Sequence, residues 1–380
     1  MCKKHSILSI GFSHQCCRLS HTSNPWAAII EIYMVILGVI FHAIGGFAAG
    51  SFYLPLKQIQ KWTWESGWIV NGFFSWIIAP LVVALLTVPD LFGAILSAPP
   101  VTLAWTFLFG LLWGIGGLTF GLSVRYLGMS LGYGVALGFC AVFGTLIPAI
   151  HDGSIITLLT TVPGWVVLSG ILVCVLGIGL CGAAGHLKEV ALTKEEEDQQ
   201  DFHLGRGLLV AGFAGLMSAC MAFAFAAGKP IAESAAASGT DPLWVNNAVL
   251  VVVLLGGFVT NAVWCAYLIG SKGSWKDYTN SDAPLVKNFS FAAIAGVTWY
   301  LQFMFYGMGS TKMGEYDFTS WTLHMSFIII ASNLWSLYLK EWKGAERKTI
   351  GILVAGILVI AFSTVLIGLG NYLQGAIGTH

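Results

Sequence analysis

Residues 186–207 read HLKEVALTKEEEDQQDFHLGRG, the one long hydrophilic stretch in a chain that is otherwise close to oil. Nine charged residues are packed into it, from a total of 18 basic and 18 acidic over 380 positions. Elsewhere the sequence is so apolar that the whole is 57% hydrophobic and only 9% charged, with a mean hydropathy of +0.80. A soluble domain carries roughly 25% charged residues, so this chain cannot cover a water-facing surface and its solvent is mostly lipid. A helix needs about 20 apolar residues to cross the hydrocarbon. Five such segments precede the hydrophilic stretch, at 30–53, 67–88, 102–123, 129–150 and 163–184. Five follow it, at 206–227, 243–269, 288–309, 318–339 and 350–372.

The fold expected is therefore an all-α polytopic membrane protein with ten transmembrane helices in two five-helix halves. The halves span 30–185 and 206–373, joined by a charged cytoplasmic linker at 186–205 and flanked by an N-terminal extension (1–29) and a short tail (374–380). An odd number of spans per half obliges the second half to enter the membrane in the opposite sense, the inverted-repeat plan of many secondary transporters. A shift of 186 residues lays WGIGGLTFGLSVRYLG (113–128) on WYLQFMFYGMGSTKMG (299–314), matching Trp113 with Trp299, Gly121 with Gly307 and Gly128 with Gly314. Loops after the odd-numbered spans hold thirteen Lys and Arg, against two (Lys229 and Lys312) on the other side. By the positive-inside rule both termini face outward. Lys3, Lys4 and Arg18 oppose this weakly, and SILSIGF is too short for a signal-peptide core. Met34 is an alternative start.

Zero net charge argues against a nucleic-acid partner. No HExxH, GxSxG or Walker A pattern is present, and no aspartate lies mid-membrane, so enzyme and ATPase readings lack their chemistry. Cys140, Cys174, Cys181, Cys220 and Cys265 lie in apolar runs and read as small hydrophobes. Ionisable groups inside spans are costly and stand out as functional candidates. His42 lies near the middle of the first span and His324 inside the ninth. Trp299, Gln302 and Tyr306 fall at i, i+3 and i+7 on one face of the eighth span; Asp317, Trp321 and His324 share a face of the ninth. The first span offers His42, Gly46, Ala49 and Tyr53, and the second offers Trp64, Trp68, Asn71 and Ser75. Aromatic rings with neutral donors and acceptors suit a sugar.

The competing roles are structural. Trp64 or Trp321 also suits an interfacial anchor, Gln302 an interhelical hydrogen bond, His42 and His324 satisfied core positions. Asp317 either caps its helix or couples a proton. Lys229 and Glu233, four residues apart, form either a salt bridge at the mouth or a charged gate.

Five motifs carry a further reading: WTWESGWIVNGFFSWIIAP (62–80), GLLWGIGGLTFGLSVRYLGMSLGYGVALG (110–138), AAGKPIAESAAASGTDPLWV (226–245), WYLQFMFYGMG (299–309) and YDFTSWTLHMSF (316–327). They resemble the bacterial L-rhamnose–proton symporter family, RhaT, of the drug/metabolite transporter superfamily. The resemblance runs over about 34–372. It implies uptake of L-rhamnose or a similar 6-deoxy sugar across the inner membrane, with a proton as coupling ion (sodium being the alternative), no cofactor, and a monomeric or homodimeric state. An exporter or a non-transporting sugar sensor is the rival reading. His42, Trp113, Lys229, Glu233, Tyr300, Gln302, Tyr306, Asp317, Trp321 and His324 fall in the matching stretches. Glu315 stands close to Asp317, leaving two acids in contention for the proton.

Overall fold

A computed structural model of the protein describes residues 25–127, 129–193 and 204–378. Among these the secondary structure is entirely helical. The long helices are α1 (Pro25–Ser51), α2 (Trp64–Thr87), α3 (Pro100–Leu127), α4 (Met129–His151), α5 (Val162–Thr193), α6 (Leu204–Ala227), α7 (Asn246–Lys272), α8 (Leu285–Ser310), α9 (Ser320–Tyr338) and α10 (Arg347–Gly378). Eight of the described helices are long and apolar enough to cross a membrane, and Val135–His151 of α4 meets Ser154–Thr160 at a 106° bend to make up to a ninth span. The expected spans thus recur as helices, but α9 is not among those apolar enough to cross a membrane. The reason is its surroundings. Every residue from Ser320 to Met325 is buried, and α9 packs on α1, α4 and α10; these enclosed first turns have no need of a lipid-like surface.

Helix ends differ from the apolar runs that announce them. α1 begins at Pro25, inside the expected extension, α5 continues to Thr193 and α10 to Gly378. Backbone hydrogen bonds carry a helix past the hydrocarbon edge where side chains are already polar. The remaining linker residues 194–203 and residues 1–24 lie outside the described part.

The exterior is apolar, as lipid requires: Leu86 is 80% exposed, Leu209 77% and Val286 83%. The interior assembles Trp76, Cys140, Met221, Leu250, Tyr300, Phe303, Tyr306, Trp321 and Met325 into one central cluster. α1 packs on α8 and α9, α6 on α3 and α4, α7 on α3, α8 on α2, and α5 on α10. Small residues permit these approaches. At the α3–α7 crossing a methyl group on Gly110 would fall on the Val253 carbonyl, and one on Gly256 would meet the Phe107 carbonyl and the Leu111 amide. Neither neighbour is a flexible side-chain tip, so Gly110→Val must separate the helices. Its expected cost is at least the 1–3 kcal/mol typical of overpacking, roughly, read as a lower unfolding temperature and an aggregated peak in detergent size-exclusion.

α2 is not regular. Phe74–Ile78 forms a π-turn, closed by the Ala79 amide donating to the Phe74 carbonyl. Pro80 explains it: with no N–H, it offers nothing to the carbonyls four and five residues earlier, and the helix widens ahead of it. Asn71, Ser75 and Trp76, all buried, sit on or beside this widened turn.

Candidate functional site

The two intramembrane histidines meet. His42 of α1 and His324 of α9 are fully buried, with ring centroids 6.2 Å apart. The Tyr306 ring of α8 touches both, at 5.5 Å from His42 and 5.3 Å from His324. Glycine makes the room: a methyl on Gly309 would lie 2.7 Å from Cε1 of His42, and one on Gly45 would lie 3.1 Å from Cε1 of His324. None of the four imidazole nitrogens has a hydrogen-bond partner among the described residues. Gln302 is buried on the same side, its backbone carbonyl facing Gly45.

Towards α2 the wall becomes tryptophan. Trp76 packs edge-on to Trp68 (6.0 Å), Trp113 (5.9 Å) and Trp299 (6.5 Å), and Trp299 meets Phe52 at 3.9 Å. Trp113 continues to Phe303 at 5.3 Å. The Trp68 indole donates to Asn261 at 3.0 Å, whereas the indole N–H groups of Trp76 and Trp299 and the Tyr300 hydroxyl are buried with no partner. No lysine or arginine is buried among the described residues. The centre is thus aromatic, neutral and under-bonded, which favours an uncharged polyhydroxy solute over an anion.

Three groups of expected residues take these places. Trp299, Gln302 and Tyr306 share a helix face and one core, with Trp299 against Trp68 and Trp76 and Tyr306 against the histidine pair. Trp321 is committed to structure: its indole donates to the Cys140 carbonyl at 3.0 Å and lies against Gly144. Asp317 stands in the 3-10 turn Gly314–Thr319, ahead of α9 rather than on its face. Its carboxylate accepts from the Ser320 hydroxyl at 3.1 Å. Its surface is open, yet enough protein surrounds it for desolvation to push its carboxyl above the ordinary aspartate range; Ser310, Ser320 and the Lys229 charge pull it back in part. Lys229 and Glu233, on the short helix Lys229–Ala237, are exposed and form no ion pair with each other. The side chain of Glu315 lies outside the described part.

The opposite end is tied shut by residues that spacing did not single out. The Asp277 carboxylate accepts from the Thr63 amide (2.8 Å), the Thr63 hydroxyl (2.9 Å) and the Ser66 hydroxyl (2.8 Å). Glu65, 1% exposed, accepts from Ser274 at 2.8 Å and pairs with Lys272 at 3.2 Å. Asn288 exchanges two bonds with the Gln60 backbone, at 3.1 and 2.8 Å. Lys57 meets Glu341 at 2.9 Å. Every one of these joins the α1–α2 region to the chain beyond α6. Gly273, at φ +69°, turns α7 into the segment carrying Ser274 and Asp277.

The sequence profile of the family described as L-rhamnose-proton symport protein (RhaT) matches residues 32–372. The L-rhamnose-proton symporter of Yersinia pestis (strain Pestoides F) is 39% identical over 340 residues, covering 88% of this chain and 98% of that protein. The L-rhamnose-proton symporter of Citrobacter koseri is 39% identical over 342 residues, with the same coverage. With a profile match from α1 to α10 and relatives aligned almost end to end, this multi-pass membrane protein belongs to the RhaT family of L-rhamnose-proton symport proteins.

Proposed function

We propose that the chain imports L-rhamnose, or a related 6-deoxy sugar, together with a proton, as a secondary active transporter of the bacterial inner membrane. Members of its family are symporters and not enzymes. The observation that carries the reading is the neutral aromatic centre, where buried donors and acceptors lack protein partners. A sugar ring brings hydroxyls to such groups and a C–H face to the indoles. Tyr306, Gln302, His42 and His324 would line one side of the sugar and Trp113, Trp299 and Tyr300 the other, while Asp317 takes the proton at the outer mouth.

Movement follows from ten spans in two inverted halves that rock about this centre. The helix pairing supports the symmetry: moving five helices along the chain converts α1–α8 into α6–α3, α1–α9 into α6–α4, and α2–α8 into α7–α3, all of which pack. With both termini outside, the network around Asp277 and Glu65 is the cytoplasmic closure, and Lys229, Glu233 and Asp317 border the external entrance.

Uptake of radiolabelled L-rhamnose into proteoliposomes tests the reading. An inward-directed proton gradient should drive accumulation above equilibrium, and an imposed sodium gradient should not. Counterflow that is blocked by unlabelled L-rhamnose and not by glucose is expected. Absence of counterflow would remove the sugar assignment, and accumulation driven by sodium alone would remove the proton.

A further inference from the structure

A second group of orphaned polar atoms lies apart from the histidine pair, on the widened turn of α2. Both side-chain polar atoms of Asn71, the Ser75 hydroxyl and the Trp76 indole N–H are buried without partners, and Asn71 and Ser75 have no exposed surface at all. α8 comes in against this turn, where Gly296 leaves no gap: a methyl there would strike the Asn71 carbonyl and lie 3.0 Å from the Ser75 amide. Tyr300, one helical turn beyond Gly296 on the same face, adds a hydroxyl that is also buried and unbonded.

Burying so many donors and acceptors without partners is unfavourable, and natural proteins tolerate it where a ligand completes the bonding. Pro80 sets the π-turn, and the widened turn brings these groups together. A wide turn inside a regular helix costs hydrogen bonds and recurs at functional sites. The tryptophan wall of Trp76 and Trp113 closes the group on its apolar side.

We propose that Asn71, Ser75 and Tyr300 form a hydroxyl-reading subsite, with Asn71 spanning two neighbouring hydroxyls of the sugar. A carboxamide has a donor and an acceptor side by side, so one amide hydrogen reaches one hydroxyl oxygen while the amide oxygen accepts from the next. This subsite would distinguish sugars that differ at a single carbinol centre, because an epimer leaves one of these buried groups unpaired. The proposal rests on the sugar-import reading above and adds the residues that set specificity.

The test compares wild type with Asn71→Leu, Ser75→Ala and Tyr300→Phe in the full-length chain, measuring counterflow KM for L-rhamnose and its C2 and C4 epimers alongside unfolding temperature in detergent. Asn71→Leu should raise the KM for L-rhamnose about tenfold or more and collapse discrimination among epimers. Its unfolding temperature should hold or rise, since a buried amide without partners has been replaced by an apolar side chain of similar size. Ser75→Ala and Tyr300→Phe should each raise KM severalfold. They decide the matter by the same criterion should Asn71→Leu fail to fold. Unchanged KM and unchanged epimer ranking in the folded variants would overturn the subsite while leaving the import reading intact. A wild-type protein that gives no L-rhamnose counterflow would overturn both.

Discussion

Asp317→Asn is expected to abolish uphill accumulation of sugar while leaving exchange of sugar for sugar. A gradient of two pH units can support about a hundredfold accumulation with one proton per sugar, at about 1.36 kcal/mol per unit, and the variant should level off near equality. Asparagine keeps the shape of the side chain and an oxygen for the Ser320 hydroxyl, so the loss would be of the proton and not of the turn. The physical basis is the environment of Asp317. Desolvation raises its pKa, and the Lys229 charge opposes that rise. Replacing Lys229 with methionine should therefore shift the pH dependence of uptake to more alkaline values. A stability signature accompanies this. With a folded pKa above the unfolded one, the carboxyl contributes stability that is complete below the ordinary aspartate range and is lost as pH rises through the raised value. Thermal unfolding across that window should flatten in Asp317→Asn. Normal accumulation by the variant would remove Asp317 from the coupling role.

Asp277→Ala should loosen the end of the bundle where α2 meets the segment after α7. Three donors from Thr63 and Ser66 converge on one carboxylate, and charge-assisted hydrogen bonds contribute about 1.5–3 kcal/mol each when intact. Because the site is only partly buried, a net loss of roughly 2–4 kcal/mol is expected, discounting for screening by water. The Thr63 amide at the entry to α2 also loses its acceptor. The variant should unfold at lower temperature and show faster sugar efflux from loaded vesicles without any change in sugar specificity. A variant with wild-type melting and efflux would show that the network does not hold the closed form together.

Much of this was readable from sequence, and the failures have physical causes. Hydropathy located the helices because lipid imposes a length and an apolar surface on each. Its signal is weakest at α9, whose first turns are enclosed by protein. Helical spacing placed His42, His324 and Tyr306 on facing surfaces, and Asn71 and Ser75 on one face of α2, because side-chain direction follows directly from residue number. Spacing could not separate Trp299 from Tyr306. Seven residues return to the same face but rise about 10 Å along the helix, far enough that Trp299 meets Trp68 and Trp76 while Tyr306 meets His42 and His324. Nor could it foresee that Trp321 would be claimed by the Cys140 carbonyl, which depends on Gly144 leaving space on a helix distant in sequence. The inner network was invisible for the same reason: Thr63 and Asp277 are 214 residues apart, and only the folded halves bring them together. Pro80 was a visible sign of the π-turn, though proline alone does not say which residues the widened turn presents.

The bonds around Asp277 and Glu65 bear on pharmacology. If they favour the closed form of that end by about 3 kcal/mol, about one molecule in 150 stands open there at rest. An inhibitor shaped for that open cavity would then bind about 150-fold more weakly than its own contacts warrant, because most of each sample is in the wrong form. Screening on Asp277→Ala would remove much of that handicap, and compounds found there would be weak on the wild-type protein for a reason unrelated to their fit.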